Sequence, residues 1–445
     1  MFELERDGLA VVTDDGREVS YAELQERTET LAARMRERSL AFCLCSNTLD
    51  SLVGYVACLN HGVVPLMLDA RIDAALLQRF MDIYDPDYIW RPIDGTYTLE
   101  ARNPPSPRLR WTSQKLHPDL ALLLTTSGST GSPKLVRQSY TNIRANTASI
   151  VEYLKLDATE RPITTLPMNY TYGLSIINTH LAVGATILLT DKTLMQREFW
   201  NFFTTQQATS FGGVPYTYEM LDKLMFFRRK LPSLRTMTQA GGKIIPELHR
   251  KFAEFAKREG KNFVVMYGQA EATARMSYLP PERALDKVGS MGIAIPGGRF
   301  EIVDGELVYY GANVTLGYAE CAEDLAKGDE RHGKLVTGDM ARVDEEGFYY
   351  IVGRKKRFLK IFGNRVNLDE TERLVKGRFR DIDCACGGVD DKMKIFVTDQ
   401  TKIQAIRDFV VEKTHLNFTA FDVQFLATIP KNASGKTLYS ELPVS

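Results

Sequence analysis

Continuous apolar runs alternate with helically spaced apolar positions from the start of the chain. Ser20-Tyr21-Ala22-Glu23 has the hydroxyl-x-x-carboxylate spacing of a capping box. Leu24, Leu31 and Met35 follow at roughly helical spacing, so a helix is predicted to open at Ser20. The run Leu40–Cys45 predicts a strand, Leu49–Leu59 a helix ending near Asn60-His61-Gly62, and Val63–Met67 another strand. Alternation of helix with buried strand predicts α/β layers. Further strands are predicted at Ile163–Leu166, Ala185–Leu189, Phe263–Met266 and Phe300–Val303. From Gly305 to Val352 the texture shortens to strands and turns, with Glu306–Tyr310 and Gly347–Val352 as strands. The glycine-led basic break Gly353-Arg354-Lys355-Lys356-Arg357 precedes a renewed βαβ alternation, with strands at Lys394–Val397 and Val423–Leu426 and an amphipathic helix at Ile403–Val411. The expectation is an α/β protein. Residues 1–353 form a large N-terminal domain of layered sheets and helices with a β-rich part, and residues 354–445 a small α+β domain.

Length supports two domains, since 445 residues exceed what one hydrophobic core organises. Lys+Arg and Asp+Glu both number 56, so net charge gives no case for nucleic acid or an anionic membrane. No apolar run approaches the ~18 residues that span a bilayer. The first residues, Met1-Phe2-Glu3-Leu4-Glu5-Arg6-Asp7, lack the basic-then-apolar order of a signal peptide, so a cytoplasmic protein is expected. Cys43-x-Cys45 and Cys384-x-Cys386 lie in strand-like runs, where one-residue spacing puts both thiols on one face. That spacing is not a zinc pattern, and free buried thiols are expected. The six histidines form no HExxH cluster.

The most informative stretch is Leu124-Thr125-Thr126-Ser127-Gly128-Ser129-Thr130-Gly131-Ser132-Pro133-Lys134, directly after an apolar run. Glycines let backbone N–H groups face an anion, hydroxyls add donors and the lysine adds charge, a combination suited to a polyphosphate. It is not a Walker loop, because Gly131 is followed by Ser132-Pro133-Lys134 rather than Lys-Ser/Thr. Five further segments look functional: Leu166–Leu174, Tyr267-Gly268-Gln269-Ala270-Glu271, Thr337-Gly338-Asp339, Gly353-Arg354 through Arg365, and Pro430–Lys436.

In this order, from about Ser20 to Lys436, these segments resemble the adenylate-forming superfamily of acyl-CoA synthetases, aryl-acid ligases, luciferases and peptide-synthetase adenylation domains. The resemblance implies ATP-dependent activation of a carboxylic acid to an acyl-adenylate with release of pyrophosphate. Transfer to a thiol, that of CoA or of a carrier-protein phosphopantetheine, would follow. Thr126, Ser127, Gly128, Ser129, Thr130, Gly131 and Lys134 would hold the β- and γ-phosphates, and Glu271 would ligate Mg²⁺. Tyr267 would lie against adenine, Asp339 would accept from the ribose hydroxyls with Arg354 nearby, and Gly242 would border the nucleotide. Lys436 would bridge carboxylate and α-phosphate as charge develops. Lys356 would be the hinge on which a mobile small domain rotates, presenting the segment around Gly363 to the incoming thiol.

For the acid, the resemblance implies Tyr170 as an aromatic gate and Gly173, Tyr216, Gly241 and Gly268 as walls, with Val214, Pro215, Lys243 and Met276 around them. Gly173 falls where peptide-synthetase domains carry an aspartate for the substrate ammonium, which favours an acyl or aryl acid over an amino acid. The sequence departs from the family at Ala270, where a threonine is usual, at Tyr140, where the phosphate segment usually ends in histidine, and at Tyr170, often histidine in acyl-CoA synthetases. Two alternatives stay open: amino-acid adenylation for loading a carrier protein, and a nucleotide-binding homologue that has lost turnover.

Overall fold

The computed structural model describes residues 1–102, 116–125, 134–355, 357–362, 364–431 and 437–443, with Asn364 and Arg365 described by backbone alone. Strand Leu40–Cys45 is buried at every position because each of its faces meets a different core. Ala41, Cys43 and Cys45 pack with Leu52, Tyr55 and Ile177, while Leu40, Phe42 and Leu44 pack with Leu77, Phe80 and Leu123. A strand covered on both sides shows no apolar–polar alternation, which is why it reads as an unbroken apolar run. It lies inside a seven-stranded sheet and pairs in parallel with Val64–Asp69 and Tyr88–Ile93. On the far side of Val64–Asp69 the strands Leu120–Thr125 and Leu135–Ser139 form an antiparallel pair, and Gly317–Ala319 closes that edge. The polyphosphate-like turn is therefore the connection of this antiparallel pair.

A five-stranded sheet begins with three parallel strands, Ser210–Gly213, Thr236–Gln239 and Asn262–Tyr267, then turns antiparallel through Ser277–Tyr278 and Ile293–Ala294. Its outer core is aromatic, with Phe199, Phe203, Phe211, Tyr218, Phe226, Phe252 and Phe263 in one cluster. The β-rich part is a four-stranded antiparallel sheet of Gly298–Val303, Glu306–Gly311, Lys334–Val343 and Tyr349–Arg354. The C-terminal part has its own core, in which Val375, Cys386, Ile395, Ile406 and Val423 join helices Leu368–Arg378 and Ile403–Thr414 to a three-stranded sheet.

Two local expectations change. Ile163–Leu166 makes only isolated bridges, Pro162 to Ser210 and Ile163 to Leu188. Ile163 N donates to Ser210 O and Thr164 N to Leu188 O, both at 3.0 Å, and the Thr164 hydroxyl adds a bond to Thr190 O at 3.0 Å, so the pairing stops after two bridges instead of extending into a ladder. Helix Tyr21–Ala32 starts where expected, with Ser20 Oγ accepting from Glu23 N at 3.1 Å. The Glu23 carboxylate, however, pairs with Arg17 and Arg27 at 3.0 and 2.9 Å. At the basic break, Arg354 still belongs to the four-stranded sheet, whereas Arg357 donates to Asp369 at 2.6 Å and to Cys386 O at 2.9 Å in the C-terminal core. All six cysteines are free, and only Cys321 is exposed. No described helix is long and apolar enough to cross a membrane.

Candidate functional site

Strand register brings the first group together. Asp339 and Arg354 face each other across adjacent antiparallel strands, and Arg354 Nε lies 3.7 Å from Asp339 Oδ1. Tyr267, the last residue of its strand, donates from its hydroxyl to Asp339 Oδ2 at 2.5 Å. Gln269 Nε2 donates to the same oxygen at 2.9 Å and to Thr337 O at 3.0 Å. Burial raises the Asp339 carboxyl above the usual aspartate range, and the Tyr267 hydroxyl, the Arg354 charge and the Gln269 amide oppose that rise. Burial and the Asp339 charge push the Tyr267 phenol well up, so it stays a donor. Tyr267, Asp339 and Arg354 were expected together. Gln269, an unassigned position of the Tyr-Gly-x-x-Glu segment, is the polar contact that completes them.

Past Gln269 the chain makes a tight reversal. A Cβ on Gly268 would lie 1.6 Å from Ala274 O, so only glycine lets the two strands of the turn approach. The reversal carries Glu271 to the edge strand Gly317–Ala319, where the Tyr318 hydroxyl donates to Glu271 Oε1 at 2.7 Å. Burial, then the neighbouring Glu271 charge, pushes the Tyr318 phenol up to about 12. Lys134 Nζ sits 3.7 Å and Arg331 Cζ 4.6 Å from the Tyr318 ring centre, and Arg331 Nη1 donates to Glu271 O at 3.1 Å. Lys134 also pairs with Glu320 at 3.2 Å. Two cations and one carboxylate thus gather around one tyrosine, close to Ala270. Tyr318 and Arg331 were not singled out from sequence. Their only signal is the Gly317-Tyr318 step and a basic residue shortly before Thr337-Gly338-Asp339.

Among the described residues no three His, Cys, Asp or Glu side chains converge as a metal site. A lone carboxylate suits Mg²⁺, which takes most of its oxygen ligands from phosphates and water, and does not suit a caged transition metal.

The acid-side positions spread over several elements. Tyr170 precedes helix Thr171–Ala182, and its hydroxyl would lie 2.5 Å from a Cβ on Gly241, which has φ +80°. Burial pushes the Tyr170 phenol up to about 12. A Cβ on Gly173 would lie 2.3 Å from Pro167 O, so this glycine serves helix-to-loop contact, and no aspartate fits there. Gly242 accepts from Gln239 Nε2 at 2.9 Å. Lys243 Nζ donates to Ile351 O at 2.7 Å, which commits that ammonium to the backbone. Tyr216 stands 48% exposed, with Lys431 Nζ 5.9 Å from its ring centre, so it meets the C-terminal part of the chain at the rim. A second contact there is the Arg380–Glu247 ion pair at 2.9 Å. Thr126, Ser127, Gly128, Ser129, Thr130, Gly131, Lys356, Gly363 and Lys436 lie outside the described residues.

The sequence profile of the AMP-binding enzyme family matches residues 4–319. A 2-succinylbenzoate–CoA ligase of Bacillus licheniformis is 25% identical over 479 residues, which takes in 99% of this chain and 97% of that protein. The peroxisomal OPC-8:0-CoA ligase 1 of Arabidopsis thaliana is 30% identical over 353 residues, 73% of this chain and 64% of that protein. Among solved structures, o-succinylbenzoate CoA synthetase from Bacillus subtilis in complex with its acyl-adenylate intermediate superposes with a TM-score of 0.81 at 21% identity, covering 99% of this chain and 96% of that one. ATP-bound MatB from Rhodopseudomonas palustris gives 0.77 at 20% identity, covering 98% and 95%.

Proposed function

We propose that this chain, which belongs to the AMP-binding enzyme family, uses ATP to activate a carboxylic acid and then passes the acyl group to the thiol of CoA. The observation that carries the reading is the pairing of two groups on one reversal of chain. Tyr267, Gln269, Asp339 and Arg354 lie at one end, and Glu271, Tyr318, Lys134 and Arg331 at the other. The first group offers an aromatic face and an anchored carboxylate for a nucleoside. The second offers positive charge and one carboxylate at the base of the hydroxyl- and glycine-rich turn, where a polyphosphate belongs.

In the first step a carboxylate oxygen bonds to the α-phosphorus of ATP and the bond to pyrophosphate breaks. Two anions meet, so the barrier is dominated by charge, and preset positive groups lower it most effectively. Lys134 and Arg331 would face the departing phosphates, and Lys436 would offset charge between the acid and the α-phosphate. Glu271 would hold Mg²⁺, whose chemistry there is neutralisation of phosphate oxygens. The Tyr318 hydroxyl fixes which oxygen of Glu271 stays free for that task. Asp339 would accept from the ribose, oriented by Gln269 and Tyr267. In the second step the thiol sulfur bonds to the acyl carbon, AMP leaves and the thiol proton is released.

Similarity to CoA ligases along nearly the whole chain supports CoA over a carrier protein as acceptor. Gly173 supports an acid without an α-ammonium, since its contact with Pro167 leaves no room for a counter-carboxylate. The contact of Lys431 with Tyr216 supports a small domain turned with Lys431 toward the acid side, the arrangement that adenylation requires. The test is pyrophosphate release from ATP and Mg²⁺ over a panel of acids, first without thiol and then with CoA. Release dependent on one acid class, accelerated by CoA with formation of the thioester, is expected. Silence with every acid refutes turnover, and release that CoA does not accelerate refutes the acceptor.

A further inference from the structure

Arg275 is 2% exposed, yet among the described residues its guanidinium has no anionic partner. Arg137, the other wholly buried arginine among the described residues, shows what compensation looks like: it pairs with Glu330 and donates to the carbonyls of Leu316, Tyr318 and Gly328. Arg275 has far less. Nη1 reaches the Tyr153 hydroxyl and the Met266 sulfur, both at 3.3 Å, and Cζ lies 4.9 Å from the Tyr172 ring centre. Nε is buried with no acceptor. No ion pair among the described residues includes Arg275, and the residues outside them carry no Asp or Glu side chain. A long contact to a phenol and one to a thioether are weak acceptors for a guanidinium, which favours paired carboxylate oxygens. An unpaired buried charge works against the fold, so its presence calls for a partner that arrives from outside.

The surroundings set Arg275 beside the residues of the acid side. Tyr172 belongs to helix Thr171–Ala182, next to the gate residue Tyr170, with the two ring centres 6.3 Å apart. Tyr172 and Met266 share one apolar cluster with Val214 and Ala240, and Tyr170 packs against it. Arg275 therefore stands behind the acid-side wall, one aromatic ring deeper than the gate. His180, further along the same helix, also has a buried nitrogen without a partner, Nε2, while its Nδ1 donates to Ile176 O at 2.7 Å. Nothing negative balances the guanidinium from that side.

We propose that Arg275 receives a second carboxylate at the far end of the acid, so that the substrate is a dicarboxylic acid adenylated at its other carboxylate. This rests on the acid-activating reading of the same site. The carboxylate would accept from Nε and a terminal nitrogen of the guanidinium, meeting the orphaned donor and the charge together. A monocarboxylic acid of the same skeleton leaves both unmet, and an amine-bearing acid is repelled.

The experiment compares skeleton-matched pairs: 2-succinylbenzoate against 4-oxo-4-phenylbutanoate, and glutarate against pentanoate. Pyrophosphate release is measured in wild type, Arg275→Met and Arg275→Lys. The expected result is a preference of at least about 100-fold in kcat/KM for a diacid over its partner. Arg275→Met should remove the preference mainly through KM, and Arg275→Lys should restore part of it. Thermal shifts with ATP and Mg²⁺ confirm that each variant folds and keeps its nucleotide site. Equal turnover of both members of each pair overturns the proposal, as does a folded Arg275→Met that keeps the preference or loses both substrates alike. If no acid turns over, the adenylation reading fails first. Calorimetric binding of the same pairs then decides the second-carboxylate site, since a diacid must bind more tightly than its partner to wild type and not to Arg275→Met.

Discussion

Gln269→Met tests the nucleotide end most directly, because methionine keeps the length of the side chain and removes its donors. Asp339 is buried, and its Oδ2 accepts from Gln269 at 2.9 Å and from Tyr267 at 2.5 Å. A hydrogen bond to a charged group contributes about 1.5–3 kcal/mol. Loss of this donor therefore disfavours the charged carboxylate by about that amount and should raise the Asp339 carboxyl further. The direction follows from the charges. Burial already lifts this carboxyl above the usual aspartate range, and the Gln269 amide is one of the groups holding it down. A protonated Asp339 is a poorer acceptor for ribose hydroxyls, so the acid limb of kcat/KM for ATP should move to higher pH. The assay is pyrophosphate release at subsaturating ATP across the acid and neutral range, where kcat/KM reports groups of the free enzyme. Asp339→Asn should lie low and lose the limb altogether. A properly folded Gln269→Met whose acid limb coincides with that of wild type would refute the reasoning.

Three other outcomes are expected. Glu271→Ala should raise the Mg²⁺ concentration needed for half-maximal pyrophosphate release, and unchanged Mg²⁺ dependence would remove Glu271 from the metal site. Lys436→Ala should abolish acyl-adenylate formation while a supplied acyl-adenylate still reacts with CoA; equal loss of both half-reactions counts against a lysine used only in the first. Gly173→Ala places a methyl group 2.3 Å from Pro167 O and should destabilise the protein by about 1–3 kcal/mol, read as a lower Tm. An unchanged Tm would mean that the helix and the Pro167 loop are not in the contact described.

Residues close in sequence marked the candidate segments, because a short stretch carries its chemistry with it. The segments Leu124–Lys134, Leu166–Leu174 and Tyr267–Glu271 were legible as candidates from composition and order, whereas the strand Leu135–Ser139, the helix Thr171–Ala182 and the reversal after Gln269 were not read from sequence. The strand Leu40–Cys45 was legible, since burial on both faces leaves an unbroken apolar run. Ile163–Leu166 falls short of a strand because its backbone pairing with Ser210 and Leu188 stops at two isolated bridges.

What stayed hidden depends on register and on partners distant in sequence. Tyr318 meets Glu271 only because an edge strand aligns it with Val136, and the Gly317-Tyr318 step alone does not encode that pairing. Gln269 becomes an anchor only when Thr337 and Asp339 are laid beside it. Arg275 is one basic residue among many in the sequence, and only the packed fold shows it closed in without a counter-charge. Local sequence pattern carried the layered α/β architecture, and the order of the candidate segments carried the family resemblance that implies ATP-dependent chemistry. The tertiary structure alone decided which polar groups are satisfied and which remain waiting, because the energy of a charge depends on what surrounds it and not on its place in the chain.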